Sequence, residues 1–477
     1  MLASYPKEAL MGKEQLSANA GDSAAEGVKQ ALSHLMPDLA RFWALPLKEY
    51  AYAVYEDRAR GRCSIRDDAM IRFRTFVSHI ALRAGASEDD AEQVSRQIAS
   101  SPVMQTGPHC HLLIEPDAFY THLFSALGIT AHHHRWHICY SSSTVKFIEK
   151  SKKGPGWLSL GGEVVNVFGL SRSRMDPYSI CGFNGTYRYA LAGQNSGSAN
   201  AAIARLKAIL PDIAFPSAAE AIKAANQTLW QRSFPRSLRL LQFDDIDVAD
   251  LVADHFEDPA SWLSSHFAGG SLFAESILRE MDRLNAGPWA GWIRQTTDFF
   301  WGLEDGRISP LRLQEGVLSG GSPLIPKVKF DPAHIASLLR QRKLVPNLLM
   351  TFLVTSILPG VRVLGGCRQT VYYPLMRHLV ATAFGSTGDR DLLDAMGADE
   401  RPGMWGHRVL RPKDSDPFRE IEDDGTALEI AARYGACSLE DAAGDLVSFT
   451  SDPIWAELSA HITTQAIHAA SPEWGWA

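Results

Sequence analysis

The 477-residue chain has little cysteine, no excess of positive charge and no long hydrophobic run. Its six thiols, Cys63, Cys110, Cys139, Cys181, Cys367 and Cys437, are scattered without a CxxC pair. That pattern argues against a disulfide framework and a zinc ribbon, and leaves reduced thiols in the core or lining a site. A formal net charge of −7 removes the electrostatic basis for general nucleic-acid or membrane-surface binding. No apolar run approaches the roughly 20 residues of a spanning helix. The opening Met1-Leu2-Ala3-Ser4-Tyr5-Pro6-Lys7-Glu8 has no apolar centre of a signal peptide. A cytoplasmic protein that binds neither nucleic acid nor membrane is the expectation. Internal repeats and sustained heptads are missing as well, so neither a solenoid nor a long coiled coil is expected.

What is present is ordinary globular material, 45% hydrophobic and 21% charged, with two glycine-punctuated segments about 250 residues apart. The first runs from Pro102 through Val103-Met104-Gln105-Thr106-Gly107-Pro108 to His111, ahead of an apolar helical stretch from Phe119 to Leu127. The second runs from Ile357 through Pro359-Gly360 and Gly365-Gly366-Cys367 to Tyr372, Tyr373 and Leu375. Each reads as a buried strand, a tight turn and a helix, the unit that aims backbone N–H groups at an anion. Two such units around a long insert predict one split α/β core.

The spacing of apolar residues suggests the organisation along the chain. Residues 1–25 read as a loose end and 26–100 as a helical region, with Val28, Leu32, Leu35, Phe73, Val77, Ile80, Val94 and Ile98 at helical spacing. Residues 101–250 are the first part of the core, with strands expected over Ala131 to Tyr140, carrying His132 to His137, and over Leu238 to Phe243, and breaks at Gly154-Pro155-Gly156 and Gly161-Gly162. Residues 251–343 form a connecting insertion with a helix over Phe273 to Leu284 and a β-hairpin turning at Glu304-Asp305-Gly306-Arg307. Residues 344–390 are the second part of the core and 391–477 a helical C-terminal region.

Several groups can carry chemistry. Thr106 and Gly107 have backbone donors that Pro108 lacks, and Gly365-Gly366 leaves room for a ligand or a neighbouring helix. Seven of the sixteen histidines, His109, His111, His122, His132, His133, His134 and His137, fall in one short region. If adjacent strand ends gather them, imidazoles can bind phosphate, act as a base or ligate zinc with Cys110 or Cys139. No ligand spacing is complete, so no metal is assigned. Ser141, Ser142, Ser143, Thr144 and Lys146 follow the second strand at the carboxyl end where open α/β sheets bind ligands. Arg362, Arg368, Asn347, Gln369 and Tyr372 are substrate-orienting candidates. The runs Lys152-Lys153 and Asp244-Asp245-Ile246-Asp247 read mainly as solvated surface, while Arg172-Ser173-Arg174 is similar to the mobile basic loop of class I adenylate-forming enzymes but lies ahead of the second half of the core, the wrong place for that role.

The order of Gln105-Thr106-Gly107-Pro108-His109, Ile277-Leu278-Arg279-Glu280, the hairpin over 300–308, Leu344-Val345-Pro346-Asn347-Leu348 and the second glycine segment resembles the bacillithiol biosynthesis cysteine-adding enzyme family, putative cysteine ligases. The resemblance spans roughly 95–390 in pattern. It implies a Rossmann-like core of the nucleotidyl-transferase and class I ligase type, split by an insertion. It also implies a ligase joining cysteine or another amine to a carboxylated small molecule, with ATP or ADP as the nucleotide. This chain departs from the family in lacking the dimerising coiled coil and in carrying Tyr140-Ser141-Ser142-Ser143-Thr144-Val145-Lys146 where the family has an acidic run. His109, His111 and Lys146 are then the expected catalytic groups. A non-catalytic partner of a biosynthetic complex and a metal-dependent enzyme built on the His-rich segment are the alternatives, with a homodimer or a pathway enzyme as the expected protein partner.

Overall fold

The computed structural model describes residues 24–149, 154–160, 162–193, 201–267, 272–321, 327–413 and 416–477. The expected loose N-terminus lies outside the described residues up to position 23, as do Lys152-Lys153 and Gly161, while residues 24 and 25 already belong to a helix over 24–35.

Five strands form a parallel sheet: β1 (Val103–Gln105), β2 (Trp136–Tyr140), β6 (Arg239–Phe243), β12 (Arg362–Gly365) and β13 (Gly403–Trp405). The spatial order is β13-β12-β1-β2-β6, with β1 paired to both β12 and β2. Strands covered on both faces must be apolar almost throughout, and β1, β2 and β12 are buried at every position. The chain leaves β1 toward β2 on one side and returns to β12 on the other. That reversal is the topological switch at which doubly wound sheets open a crevice, and the order is compatible with a Rossmann-like core. Helices Leu47–Tyr55, Pro116–Ala131 and Ala427–Ala436 pack together, and the second of these lies against β2. Helices Ser64–Arg83 and Asp245–Glu257 pack together near β6.

Two further sheets lie between these strands in sequence. One is three-stranded and antiparallel, from β3 (Trp157–Leu160), β4 (Glu163–Asn166) and β5 (Ala192–Gly193). The other comprises β7 (Phe300–Glu304), β8 (Arg307–Gln314), β9 (Val317–Gly320), β10 (Val328–Lys329) and β11 (Leu344–Pro346), in the order β10-β9-β8-β7-β11. The expected hairpin is β7–β8. Asp305 and Gly306 both take positive φ, 47° and 78°, as a two-residue turn that matches strand twist requires. Leu344–Pro346 therefore joins the antiparallel sheet, whereas Gly403–Trp405, in the region expected to be helical, supplies the edge of the parallel one. The tail is a series of short helices. No helix among the described residues is long and apolar enough to cross a membrane.

Candidate functional site

Both glycine segments meet at the switch point. The Thr106 N–H and hydroxyl donate to the Leu364 carbonyl at 2.9 and 3.0 Å, and Gln105 Nε2 reaches the same oxygen at 3.0 Å. Gln369 Nε2 then donates to Thr106 Oγ1 at 2.6 Å, and Tyr372 donates to Gln369 Oε1 at 3.2 Å. The space left by Gly365 is filled by the Gln369 carboxamide, which a Cβ there would overlap at 2.0 Å. His407, which follows β13, packs between Gly107 and Gly366: a Cβ on the first would lie 2.7 Å from its ring and on the second 3.1 Å. Burial pushes His407 down to about 3, and its Nδ1 lies 2.9 Å from Thr121 Oγ1. The glycines thus admit the protein's own side chains. Thr106 cannot offer its backbone donor to an anion, because Leu364 engages it.

The loop after β2 is held by a residue that sequence reading placed in a solvated run. Asp245 Oδ2 accepts from the Ser143 N–H at 2.6 Å, the Thr144 N–H at 2.7 Å and Ser142 Oγ at 3.1 Å, while Tyr140 donates to its Oδ1 at 2.5 Å. Consecutive amides of this kind are a ready anion cradle, and here the chain supplies the anion itself. Asp244, Asp245 and Asp247 are all buried, contrary to the solvated reading. Asp244 opens the following helix through a capping box with Asp247, and Asp247 pairs with Lys223 and Arg83. Burial and the neighbouring Asp247 charge raise Asp244 above the usual carboxylate range against the pull of Lys223, consistent with a buried Oδ2 that lacks a hydrogen-bond partner.

Above these loops lies a cavity of about 350 Å³. Its polar wall is Thr106, His109, Ser142, Thr144 and Asn347. The apolar wall includes Met281, Trp292, Ile293 and Leu348, contributed by segments between β6 and β12. Arg294 and Arg368 add positive charge, although Arg368 is paired with Asp452 at 2.8 Å. Asn347 also caps helix Leu348–Phe352, and Tyr372 completes the floor. At the opposite, amino-terminal edge of the sheet, the cleft beside Val103 and Arg362 holds only about 20 Å³, room for little more than a water.

Other expected members fall elsewhere. Ser141 is buried, with its N–H on the Phe243 carbonyl and its Oγ accepting from Gln242. Ser143 is buried, with its carbonyl accepting from Ser179. Lys146 is exposed, bridges Ser179 through its backbone and does not line the cavity. Arg362 donates to the carbonyls of Glu56 and Arg401, and burial lowers it to about 10. Burial raises Cys367 to about 11 and Cys110 well above the ordinary thiol range, so neither is poised as a thiolate.

The histidines divide. His132, His133 and His134 occupy the turn entering β2, so they sit at the opposite edge from His109 and His111 and do not join them. His122 and His137 form a buried pair, Nδ1 to Nε2 at 2.9 Å, beside Trp230. His109 Nδ1 lies 2.7 Å from Glu149 Oε1, and His111 Nε2 lies 3.6 Å from the same oxygen. Desolvation of the covered half of its ring would lower His109, but the Glu149 hydrogen bond and charge outweigh it and raise it. Burial would raise Glu149, yet its contacts with the two imidazoles hold it well below the usual carboxylate range. Glu149 was not among the sequence candidates. Comparison with protein-family profiles and with curated protein sequences finds no match to the chain.

Proposed function

We propose that the chain is a ligase-type enzyme that joins an amine, such as an amino acid, to a carboxylated small molecule, with ATP or ADP as the nucleotide. The core is then a nucleotidyl-transferase or class I ligase-type sheet split between β6 and β12, in the manner of the cysteine-adding enzymes that the sequence resembles. The observation that carries the reading is the 350 Å³ cavity at the carboxyl edge, where the β1 and β12 loops converge at the switch point. Its polar wall suits a carboxylate or phosphate, its cations suit negative charge, and its apolar wall suits a carbon skeleton.

In the proposed reaction the amine nitrogen attacks an activated acyl carbon. That acyl group is made when the carboxylate attacks ATP and a P–O bond breaks to release ADP or pyrophosphate; the new C–N bond then forms as the acyl–oxygen bond breaks, and phosphate or nucleoside monophosphate leaves with the electron pair. The amine proton needs an acceptor. With Nδ1 of His109 engaged by Glu149, Nε2 is the nitrogen left for that task. A thermal-shift and native mass-spectrometric screen with ATP, ADP, amino acids and small carboxylic acids tests the reading. Joint stabilisation by a nucleotide and an amino acid is the expected result. No shift with any nucleotide or carboxylate overturns it.

A second reading, a non-catalytic partner protein, is favoured by one specific observation. The amide cradle after β2 is filled by Asp245 and the Thr106 amide by Leu364, so phosphate would be met by side chains and not by backbone donors. Stabilisation by a biosynthetic partner protein in place of nucleotide would select it.

A further inference from the structure

The loops after β1 and β2 bring three metal-ligating side chains to one point. The donor atoms of His109, His111 and Glu149 all lie within 4.8 Å of one another. Donors held about 2.0–2.1 Å from a tetrahedral zinc sit roughly 3.4 Å apart, so separations of 2.7 and 3.6 Å to Glu149 Oε1 require only small side-chain adjustments to admit an ion. An ordinary ion pair needs one imidazole on one carboxylate oxygen. Here two turn toward the same oxygen, with ring centroids 6.4 Å apart and planes 27° apart.

The backbone that carries them is fixed from both sides. The His111 N–H closes a tight turn on the His109 carbonyl at 2.6 Å, and the Cys110 N–H between them donates to the Ser142 carbonyl at 3.0 Å. Asn226, on helix Ala218–Ser233, donates to the His111 carbonyl at 2.9 Å and accepts from the Leu113 N–H at 2.7 Å. Such bonds fix the loop from which the two imidazoles project. His111 is buried, whereas Glu149 is exposed, as is 52% of the His109 side chain, and His109 also lines the cavity. Three protein donors with an open side are the pattern of a catalytic metal site and not of a closed structural one.

We infer that His109, His111 and Glu149 bind a divalent transition-metal ion of zinc-like preference at the lip of the cavity, with a coordination position open toward its contents. In the ligase reading, on which the functional role but not the binding rests, that ion would polarise a carboxyl or phosphoryl oxygen. The two roles of His109 are exclusive: an ion on Nδ1 leaves the proton on Nε2, and the amine proton would then pass to the departing phosphate oxygen.

The test uses the full chain, purified without a histidine tag, stripped with chelator and titrated with Co²⁺ by visible absorption and with Zn²⁺ by calorimetry, in the absence of substrate. Stoichiometric uptake is expected, weakened at least about tenfold in each of His109→Ala, His111→Ala and Glu149→Gln, with His134→Ala unchanged. Because His109 is exposed, its variant should retain the fold, checked by circular dichroism and Tm. No saturable uptake, or equal uptake by wild type and the three variants, overturns the proposal. The ligand screen repeated on chelator-treated protein keeps failure of the metal site distinct from failure of the ligase reading.

Discussion

Two pairs of histidines, drawn from one crowded stretch of sequence, end in opposite surroundings. His109 and His111 converge on the carboxylate of Glu149 at the sheet's carboxyl edge, and the fold raises His109. His122 and His137 bond each other inside the core, with no carboxylate in the pair, and burial lowers both, His122 to about 3. Residue type and density are the same in both. The difference comes from which edge of a parallel sheet each residue reaches and whether a distant loop delivers a counter-charge.

The largest expected effect concerns the loops that build the charged side of this comparison. Asp245→Ala removes the acceptor of two amides and three hydroxyls, and each buried donor left without a partner costs about 1–3 kcal/mol. A stability loss of roughly 3 kcal/mol or more in urea unfolding is expected, together with weaker ligand stabilisation in the cavity. Retention of wild-type stability would mean that Asp245 does not organise the Ser142–Thr144 loop.

Next in size is the acid response of the buried pair. Its folded pKa values are depressed, so the unfolded chain takes up protons below about 6.5 while the folded pair stays neutral. Stability from this source is present above about pH 6.5 and lost as pH falls toward the folded value. Between pH 7 and pH 5 the loss is about 2 kcal/mol for His122, and His137 adds to it in the same direction. The double variant His122→Phe, His137→Phe should show a flatter unfolding-stability profile over that window. An unchanged slope would place the acid sensitivity elsewhere, for example at His255, which burial lowers to about 4. The single change His137→Phe should be milder at pH 7, about 1–3 kcal/mol, because it leaves His122 Nδ1 without its partner. Metal uptake should not change in either variant.

The part of this arrangement that was legible in sequence is the part decided locally. Strands buried on both faces announce themselves as short apolar runs between turns, which is why β1, β2, β6 and β12 were placed close to their observed positions. The β7–β8 hairpin was legible because Asp305-Gly306 is a turn that only such residues form readily. Gly403–Trp405 was missed, since three residues flanked by Pro402 and Gly406 show no periodicity. The site was legible as an edge and not as a constellation. Thr106, His109, Ser142, Thr144, Asn347 and Tyr372 reached the cavity, but Asp245 and Glu149, which organise it, act through partners about a hundred and 40 residues away respectively. An Asp-rich run reads as solvated when the donors that satisfy it are invisible.

The smallest effects sharpen the comparison most, because they separate exposure from function. His109 and Lys146 are both exposed and both were expected to act in catalysis, but only His109 lines the cavity and contacts Glu149. Removing Lys146 should change stability by no more than about 0.5 kcal/mol, the ordinary range for surface substitutions, and removing His109 with its Glu149 ion pair by no more than about 1 kcal/mol. His109→Ala should nevertheless abolish the joint nucleotide and amino-acid stabilisation or weaken Co²⁺ uptake, whereas Lys146→Ala should leave both at the wild-type level. Thermal shift and absorption on the same two preparations decide the matter. If Lys146→Ala lost ligand stabilisation while His109→Ala kept it, the binding surface would lie on the Ser179 side of the β2 loop, and the cavity at the β1–β12 switch point would lose its claim.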